Sequence, residues 1–200
     1  MTTFFSVDVE TSATNPFEGY LLTVGIQPVR FDQHTLRVDM APSSLYVRID
    51  RSWELSQTDW ETSTSDTRKW WDTQSQLVRD EAWADATLVR HDETMAARMI
   101  TEYVHEVETD PAQRIFVANP VAFDKAWIDR LYGEVGMDSP FHYRSLCLRS
   151  MKFGLRAASA WGSDRENHDP LIAHHALYDA VAQAHDLISM LNERDRPVEA

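Results

Sequence analysis

The sequence predicts an α/β fold built on a mixed β-sheet, and the order of its elements carries this prediction. Segments rich in β-branched and aromatic residues come first, at residues 3–9, 20–31 and 44–50. Helical patterns follow, with one short apolar strand at residues 114–118 between them. Three early strands with short connections predict an antiparallel meander. A helix that crosses back to a later buried strand predicts parallel neighbours as well.

The helices are indicated by apolar spacing and by their flanking residues. Asp66 or Thr67 is suited to cap a helix that enters Trp70 and Trp71. Pro111 ends a second helical pattern. The predicted ranges of the longer helices are residues 93–108, 121–135 and 176–191, and residues 157–173 are expected to be irregular.

Length and composition predict one globular domain. The chain has 200 residues, of which 43% are hydrophobic, and this supports a domain at residues 1–192 followed by a flexible tail at 193–200. Cys147 is the only cysteine, so an internal disulfide is excluded and a reducing compartment is expected. We expect no signal peptide and no membrane span, since no segment approaches about 20 apolar residues. The expected location is the cytoplasm.

The formal net charge of −13 argues against tight, extended binding to a polyanion. Solubility is the simplest explanation of such a charge. Clustered acidic residues that hold divalent cations would also contribute, because bound cations reverse the local sign of the field. An enzyme that grips one chain end through metal ions is therefore compatible with the charge.

Asp8 and Glu10 lie two residues apart in the first predicted strand, so both carboxylates project to one face while Val7 and Val9 project to the other. Two carboxylates on one face are unfavourable unless cations neutralise them. For an isolated Asp-x-Glu pair, a solvated strand end is the preferred explanation.

Two later segments add acidic and histidine candidates. Asp124 follows the apolar strand at the opening of a helix, where an acid can simply complement the helix dipole. His174 precedes Asp179 by five residues, and the two side chains converge best if His174 lies in a loop before the last helix. Capping or surface exposure is the plain alternative for His174 and the preferred one for His175.

Taken together, these motifs resemble the DEDDh branch of the DnaQ-like 3′–5′ exonucleases. The matching segments are Asp8-Val9-Glu10-Thr11, Asn119 with Phe123-Asp124, and His174 through Ala180. The segment from Asp66 to Ser75, which contains Trp70-Trp71 and Gln74, is similar to the exonuclease VIII-like group and to small bacterial and phage 3′–5′ exoribonucleases. The resemblance covers about residues 4–190. One departure is Asn119-Pro120-Val121, where the group often has Asn-Gly-Pro.

The resemblance implies a ribonuclease H-like fold, a mixed five-stranded sheet flanked by helices, and a metal-dependent 3′–5′ exonuclease acting on single-stranded nucleic acid. RNA is slightly favoured over DNA, and a homodimer is expected by analogy. Two divalent cations, Mg²⁺ or Mn²⁺, fit hard oxygen ligands. The implied ligands are Asp8, Glu10, Asp124 and Asp179, and the implied general base is His174. The expected substrate-binding residues are Thr11, Trp70, Trp71, Gln74, Asn119 and Phe123.

Several alternatives stay open at this point. Adjacent tryptophans on a helix point about 100° apart, so one of Trp70 and Trp71 is expected in the core and the other at the cleft. Core packing of both tryptophans is the alternative. Arg144 and Arg149 can meet substrate phosphate or a partner, although surface ion pairs are the simpler role. The competing functions are a hydrolase of nucleotides or short oligonucleotides, and a noncatalytic nucleic-acid-binding module on the same fold.

Overall fold

Six strands form one mixed sheet in the part of the chain that the computed structural model describes, which is residues 1–50, 65–85, 87–157 and 173–193. The strands are β1 (Thr2–Thr11), β2 (Leu21–Phe31), β3 (Val38–Met40), β4 (Leu45–Arg48), β5 (Arg114–Ala118) and β6 (Ser145–Cys147). Their order is β3-β2-β1-β5-β6, and β4 also pairs with β2. The β1–β2 pair is antiparallel, whereas β5 runs parallel to both β1 and β6. The predicted α/β class and mixed sheet are confirmed.

Six α-helices flank this sheet within the same described residues. They are α1 (Ser65–Asp72), α2 (Gln76–Arg79), α3 (Glu93–Val107), α4 (Val121–Val135), α5 (Leu148–Ala157) and α6 (Ala176–Glu193). A π-helical turn, Asp80–Ala84, continues α2, and a 3₁₀ turn, Pro111–Gln113, precedes β5. Among these residues, no helix combines the length and apolar character needed to cross a bilayer.

The three early strands predicted from the sequence form the expected antiparallel meander, because β1 pairs with β2 and β2 pairs with β4, but the sheet has one strand more than expected. The edge of β2 is shared, because residues 23–26 pair with β4 and residues 29–31 pair with β3. Pro28 lies between the two pairings, where the amide hydrogen that proline lacks is not needed for either ladder. The sheet has six strands, whereas the resemblance implied five. The sequence pattern did not locate β3 and β6, because each is only three residues long and too short to show alternation.

Two apolar layers cover the two faces of the sheet. On one face, Phe5, Val7 and Val9 of β1 pack against α3 and α4 in a buried cluster. On the other face, Val117 of β5 packs with residues of α5 and α6, among them Leu187. The helix expected at residues 121–135 has the observed bounds, and α3 and α6 agree within one or two residues. The irregular segment expected at 157–173 falls largely outside the described residues, as does most of the tail at 193–200.

Candidate active site

A cavity of about 450 Å³ opens at the carboxyl end of β1. This volume is within the range of ligand pockets, roughly 300–1,000 Å³. The wall is formed by residues of β1 and the turn after it, of α1, of the start of α4, and of α6 with its preceding loop. They are Asp8, Val9, Glu10, Thr11, Ala13, Thr14, Asp66, Thr67, Trp70, Asn119, Phe123, Asp124, His174 and Asp179.

The alternation of β1 delivers two of the acids to the cavity. Asp8 pairs with Gly25 and Glu10 pairs with Thr23 across the antiparallel ladder, so both acids share one face of the sheet. Asp8 is partly buried and Glu10 is buried. Val7 and Val9 point into the opposite core, as the spacing predicts.

Gly25 brings the last helix against this face. A Cβ atom on Gly25 would lie 2.2 Å from the carbonyl oxygen of Ala176, the first residue of α6, so any side chain there would force the helix away. Because Gly25 is the cross-strand partner of Asp8, the start of α6 lies beside that carboxylate. Asp179, in the first turn of α6, thereby joins the acids of β1 in the cavity wall.

His174 lies in the turn that enters α6, in a left-handed backbone conformation with φ of 67°. Its amide N–H donates a hydrogen bond to Oδ2 of Asp179 at 2.9 Å. A non-glycine residue in this conformation is strained by about 1–3 kcal/mol and persists where its surroundings hold it. The contact with Asp179 therefore fixes the exposed histidine at the mouth of the cavity.

His175, the neighbouring histidine, lies elsewhere. It is buried, and its ring stacks on Tyr46 with a centroid distance of 4.6 Å and packs against Tyr178 at the same distance. Burial lowers the pKa of His175, which favours the neutral ring. The structure thus separates an exposed His174 at the cavity from an anchoring His175 in the interior.

Asp124 reaches the cavity from the first turn of α4. The backbone N–H of Val9 donates to its Oδ1 at 3.2 Å, which ties α4 to β1. Burial raises the pKa of Asp124 to about 7, although the hydrogen bonds from Val9 and from its own backbone, with the charge of Arg149, oppose this rise. An acid that only complemented a helix dipole would lie at the surface, whereas Asp124 is 2% exposed.

The two acids of β1 are also difficult to ionise. Burial raises the pKa of Asp8 well above its usual range, and the charges of Asp124 and Asp179 raise it further. Burial likewise raises the pKa of Glu10, with added repulsion from Asp8 and Asp179. Carboxylates held this close repel one another, and divalent cations between them would remove both the repulsion and the desolvation penalty.

The donor set fits a hard divalent cation. Single ligand atoms of Glu10, His174 and Asp179 lie within 4.8 Å of one another, close enough for one ion to contact several of them. Asp8 and Asp124 line the same cavity and add carboxylate oxygens. Oxygen-rich sites of this kind suit Mg²⁺ or Mn²⁺, and a histidine nitrogen is compatible with Mn²⁺.

The two tryptophans of α1 divide between cavity and core. Trp70 lines the cavity, is 38% exposed, and packs edge-to-face on the ring of His174 at 4.8 Å. Trp71 is 1% exposed, and its indole N–H donates to the carbonyl oxygen of Thr11 at 2.9 Å. Trp71 is therefore a core residue that supports the end of β1, and the expectation that it contacts substrate is corrected.

Of the remaining residues predicted to contact substrate, three line the cavity and one does not. Thr11, Asn119 and Phe123 line the cavity, as expected for residues near a bound nucleotide. The hydroxyl of Thr11 donates to the carbonyl oxygen of Ala13 and is therefore engaged within the turn after β1. Gln74 is not part of the wall, and its side-chain amide donates to the carbonyl oxygen of Trp70, so its expected substrate contact stays a prediction.

Sequence reasoning missed three kinds of residue at this site. The sequence pattern indicates Asp66 and Thr67 only as candidate helix caps, whereas both residues line the cavity. Gly25 was missed because its role depends on a helix about 150 residues later. Gln183 was missed as well; its amide donates to Oδ1 of Asp8 at 2.8 Å. A glutamine within the apolar stripe of the last helix was the available signal.

A comparison with models of protein families identifies the family of this chain. The family model described as the 3′-5′ exoribonuclease Rv2179c-like domain matches residues 3–190. The chain belongs to this family. The expected membership in the 3′–5′ exonucleases is thereby confirmed, and with it the hydrolase class of this enzyme family. Family membership also implies dependence on divalent metal, with which the carboxylate and histidine cluster is consistent. No curated protein matches the chain at a significant level.

Solved structures of exonucleases share the fold of this family member. The zinc-bound complex of Escherichia coli exonuclease I with single-stranded DNA superposes with a TM-score of 0.58 at 18% identity, covering 98% of this chain and 41% of that chain. Cell-death related nuclease 4 gives 0.59 at 14% identity, with coverage of 96% and 64%. Exonuclease I from Methylocaldum szegediense gives 0.64 at 14% identity, with coverage of 99% and 42%.

These likenesses extend over nearly the whole chain, yet the chain spans only about two fifths of the exonuclease I structures it matches. At such low identity they establish the fold and nothing further. The expected ribonuclease H-like α/β architecture is confirmed by them.

Proposed function

We propose that this chain removes nucleotides from the 3′ end of single-stranded nucleic acid by hydrolysis that requires two divalent cations. The observation that carries the proposal is the convergence of the four acids of β1, α4 and α6 and of the exposed His174 on a single cavity, in a member of a 3′–5′ exoribonuclease family. RNA is the preferred polymer in this proposal, because the matched family is described as an exoribonuclease.

The residues that would hold the cations are Asp8, Glu10, Asp124 and Asp179. When bound, two divalent ions supply an activated water and neutralise charge on the attacking and leaving oxygens. The chain itself positions these acids on three separate elements, β1, α4 and α6, which are joined by direct contacts. Fixed positions matter because a misplacement of about 1 Å can reduce the rate about 100-fold.

His174 would accept the proton of the attacking water. The oxygen of that water bonds to phosphorus, and the bond from phosphorus to the 3′ oxygen of the preceding nucleotide breaks. That 3′ oxygen takes a proton from solvent and becomes the new 3′ hydroxyl of the shortened chain, while the terminal nucleotide is released as a nucleoside 5′-monophosphate. An imidazole suits this role because its unperturbed pKa of about 6.5 is close to neutrality. The hydrogen bond from its backbone amide to Asp179 fixes the backbone of His174 at the cavity, and its ring packs against Trp70.

The terminal nucleotide would occupy the rest of the cavity. Trp70 presents a partly exposed ring for stacking on a base, which contributes about 1–3 kcal/mol per base. Phe123 forms part of the wall, and Asn119 offers an amide for hydrogen bonding. The backbone of Thr11, held by Trp71, would seat the terminal sugar.

Hydrolysis of short oligonucleotides or nucleotides is the second candidate, and two observations favour it. The net charge of −13 opposes binding of a long polyanion. The cavity of about 450 Å³ is of a size for about one nucleotide.

End-labelled single-stranded RNA and DNA, in short and long versions, test these proposals with Mg²⁺, Mn²⁺ or chelator. We expect stepwise shortening from the 3′ end only with metal, and faster shortening of RNA. Internal cuts, or cleavage that persists in chelator, would overturn the exonuclease proposal. Activity confined to oligomers of a few nucleotides would select the second candidate.

A further inference from the structure

We propose that Gln183 is a positioning residue that orients the carboxylate of Asp8 for cation binding. This inference rests on the proposed function, because it concerns the same cavity. The contact itself is a hydrogen bond of 2.8 Å from Nε2 of Gln183 to Oδ1 of Asp8. It joins α6 to β1 beneath the site.

Gln183 interrupts an otherwise apolar surface of α6. The buried residues of this helix include Ala180, Ala184, Leu187 and Met190, and they face the sheet. Gln183 is only 7% exposed among them. An amide in such a place is unfavourable unless its hydrogen bonds are made. An apolar side chain at position 183 would pack against the sheet at a lower desolvation cost, so packing alone does not explain the amide.

The two ends of the amide differ in a way that points to Asp8. The nitrogen donates to the carboxylate, whereas Oε1 is buried and has no hydrogen-bond partner among the described residues. A glutamine retained for general stability would be expected to satisfy both ends. Here the amide nitrogen of Gln183 binds Asp8, and the amide oxygen makes no hydrogen bond to the described residues.

The helix also links this contact to the opposite side of the site. Gln183 follows Asp179 by four residues, which places both side chains on the same face of α6, one turn apart. One helical segment therefore supplies the acid Asp179 and fixes the acid Asp8. Any shift of α6 would move Asp179 and disturb the hydrogen bond to Asp8 at the same time.

A neutral donor is chemically suited to this task. A lysine or arginine at this position would bring a positive charge to Asp8 and compete with a divalent cation. An amide orients the carboxylate and leaves its negative charge for the cation. Partners that orient metal ligands in this way typically change metal affinity or activity by about 10–100-fold when removed.

Gln183→Met is the test variant, because methionine has a similar length and no donor. Gln27→Met is the matched control: Gln27 is also buried in the sheet layer, and its amide donates to the carbonyls of Pro28 and Ala41, not to a carboxylate. Mn²⁺ affinity is measured by electron paramagnetic resonance on protein without nucleic acid. The Mn²⁺ concentration for half-maximal hydrolysis is measured separately, and circular dichroism checks folding.

We expect Gln183→Met to weaken Mn²⁺ binding about 10–100-fold and to raise the Mn²⁺ requirement of hydrolysis in parallel. Gln27→Met should leave both quantities unchanged. Wild-type Mn²⁺ affinity in Gln183→Met, or an equal loss in both variants, would overturn the inference. If Gln183→Met does not fold, Gln183→Leu replaces it. Failure of both to fold while Gln27→Met folds would also contradict the positioning role.

The wild-type protein separates this inference from the proposed function. If wild-type protein neither binds Mn²⁺ nor hydrolyses ends, the proposed function itself fails. If the wild-type protein does both and Gln183→Met matches it, only the role of Gln183 fails.

Discussion

The two faces of β1 differ sharply in chemical character and in what covers them. One face presents Phe5, Val7 and Val9 to the core beneath α3 and α4. The other face presents Asp8 and Glu10 to a cavity at the start of α6, in a cluster where burial and mutual repulsion raise their pKa values. The same ten-residue strand therefore stabilises the fold on one side and strains it on the other.

This difference shows how a two-residue period separates stability from chemistry. Substitutions on the apolar face should change the free energy of unfolding and leave the chemistry of folded molecules alone. Substitutions on the polar face should do the opposite, and some should even stabilise the metal-free protein.

Removing the histidine at the polar face should have the largest effect. His174→Ala should lower turnover by about 10²–10⁴-fold, the usual contribution of a general base, with the fold and Mn²⁺ binding nearly intact. Single-turnover hydrolysis of end-labelled RNA measures this loss. His185→Ala is the matched control, since His185 is an exposed histidine on α6 outside the cavity. Wild-type rates in His174→Ala would refute the general-base assignment.

Truncating the apolar face should change stability instead. Phe5 is fully buried, so Phe5→Ala should reduce the free energy of unfolding by about 3–5 kcal/mol. Urea unfolding followed by circular dichroism measures the loss. Activity per folded molecule should stay near the wild-type value at low temperature. A large drop in activity there would show that the two faces are coupled.

Neutralising a buried acid should stabilise the metal-free protein. The folded pKa of Asp124 is about 7, against an ordinary value of 3.8, so the folded state binds more protons than the unfolded state between these values. Stability contributed by the protonated acid is therefore lost as pH rises from about 4 to about 7, by at most about 4 kcal/mol at about 1.4 kcal/mol per pKa unit.

Asp124→Asn keeps the acceptor for the Val9 amide and removes the charge. In chelator at pH 8 the variant should be more stable than the wild type, and the difference should shrink at pH 5. Added Mg²⁺ should stabilise the wild type and not the variant. Urea midpoints at both pH values check this, and equal midpoints would argue that Asp124 is not strained.

A methyl group on Gly25 should disturb the packing of α6 against the polar face of the sheet. Gly25→Ala forces its Cβ against the backbone of Ala176, so we expect a loss of about 1–3 kcal/mol in stability, together with lower activity as α6 shifts. Gly133→Ala is the control, because a Cβ there meets nothing within 4 Å. Thermal unfolding and RNA hydrolysis measure both effects. An unchanged Gly25→Ala would mean that α6 does not need this close approach.

The sequence predicted those parts of the site that depend on local periodicity. Asp8 and Glu10 follow from strand alternation, and the range of α4 that carries Asp124 agrees residue for residue. The placement of His174 in a turn before α6 also agrees, since α6 begins at Ala176.

The parts that sequence missed depend on contacts distant along the chain. Trp70 and Trp71 are adjacent, and only the packing of α1 on Leu22 decides which is buried. Gln183 meets Asp8 across 175 residues, so no local pattern reveals the contact. The strand β6 exists because three residues pair in parallel with β5, which neither propensity nor length indicates.

The decisive measurement for the two-metal site is the number of Mn²⁺ ions bound per chain. Electron paramagnetic resonance with a nucleoside 5′-monophosphate present gives this number. If the polar face of β1 forms a two-metal site with α4 and α6, the wild-type protein should bind two ions saturably, and Asp8→Asn should bind fewer. No saturable binding, or two ions still bound by Asp8→Asn, would contradict the account.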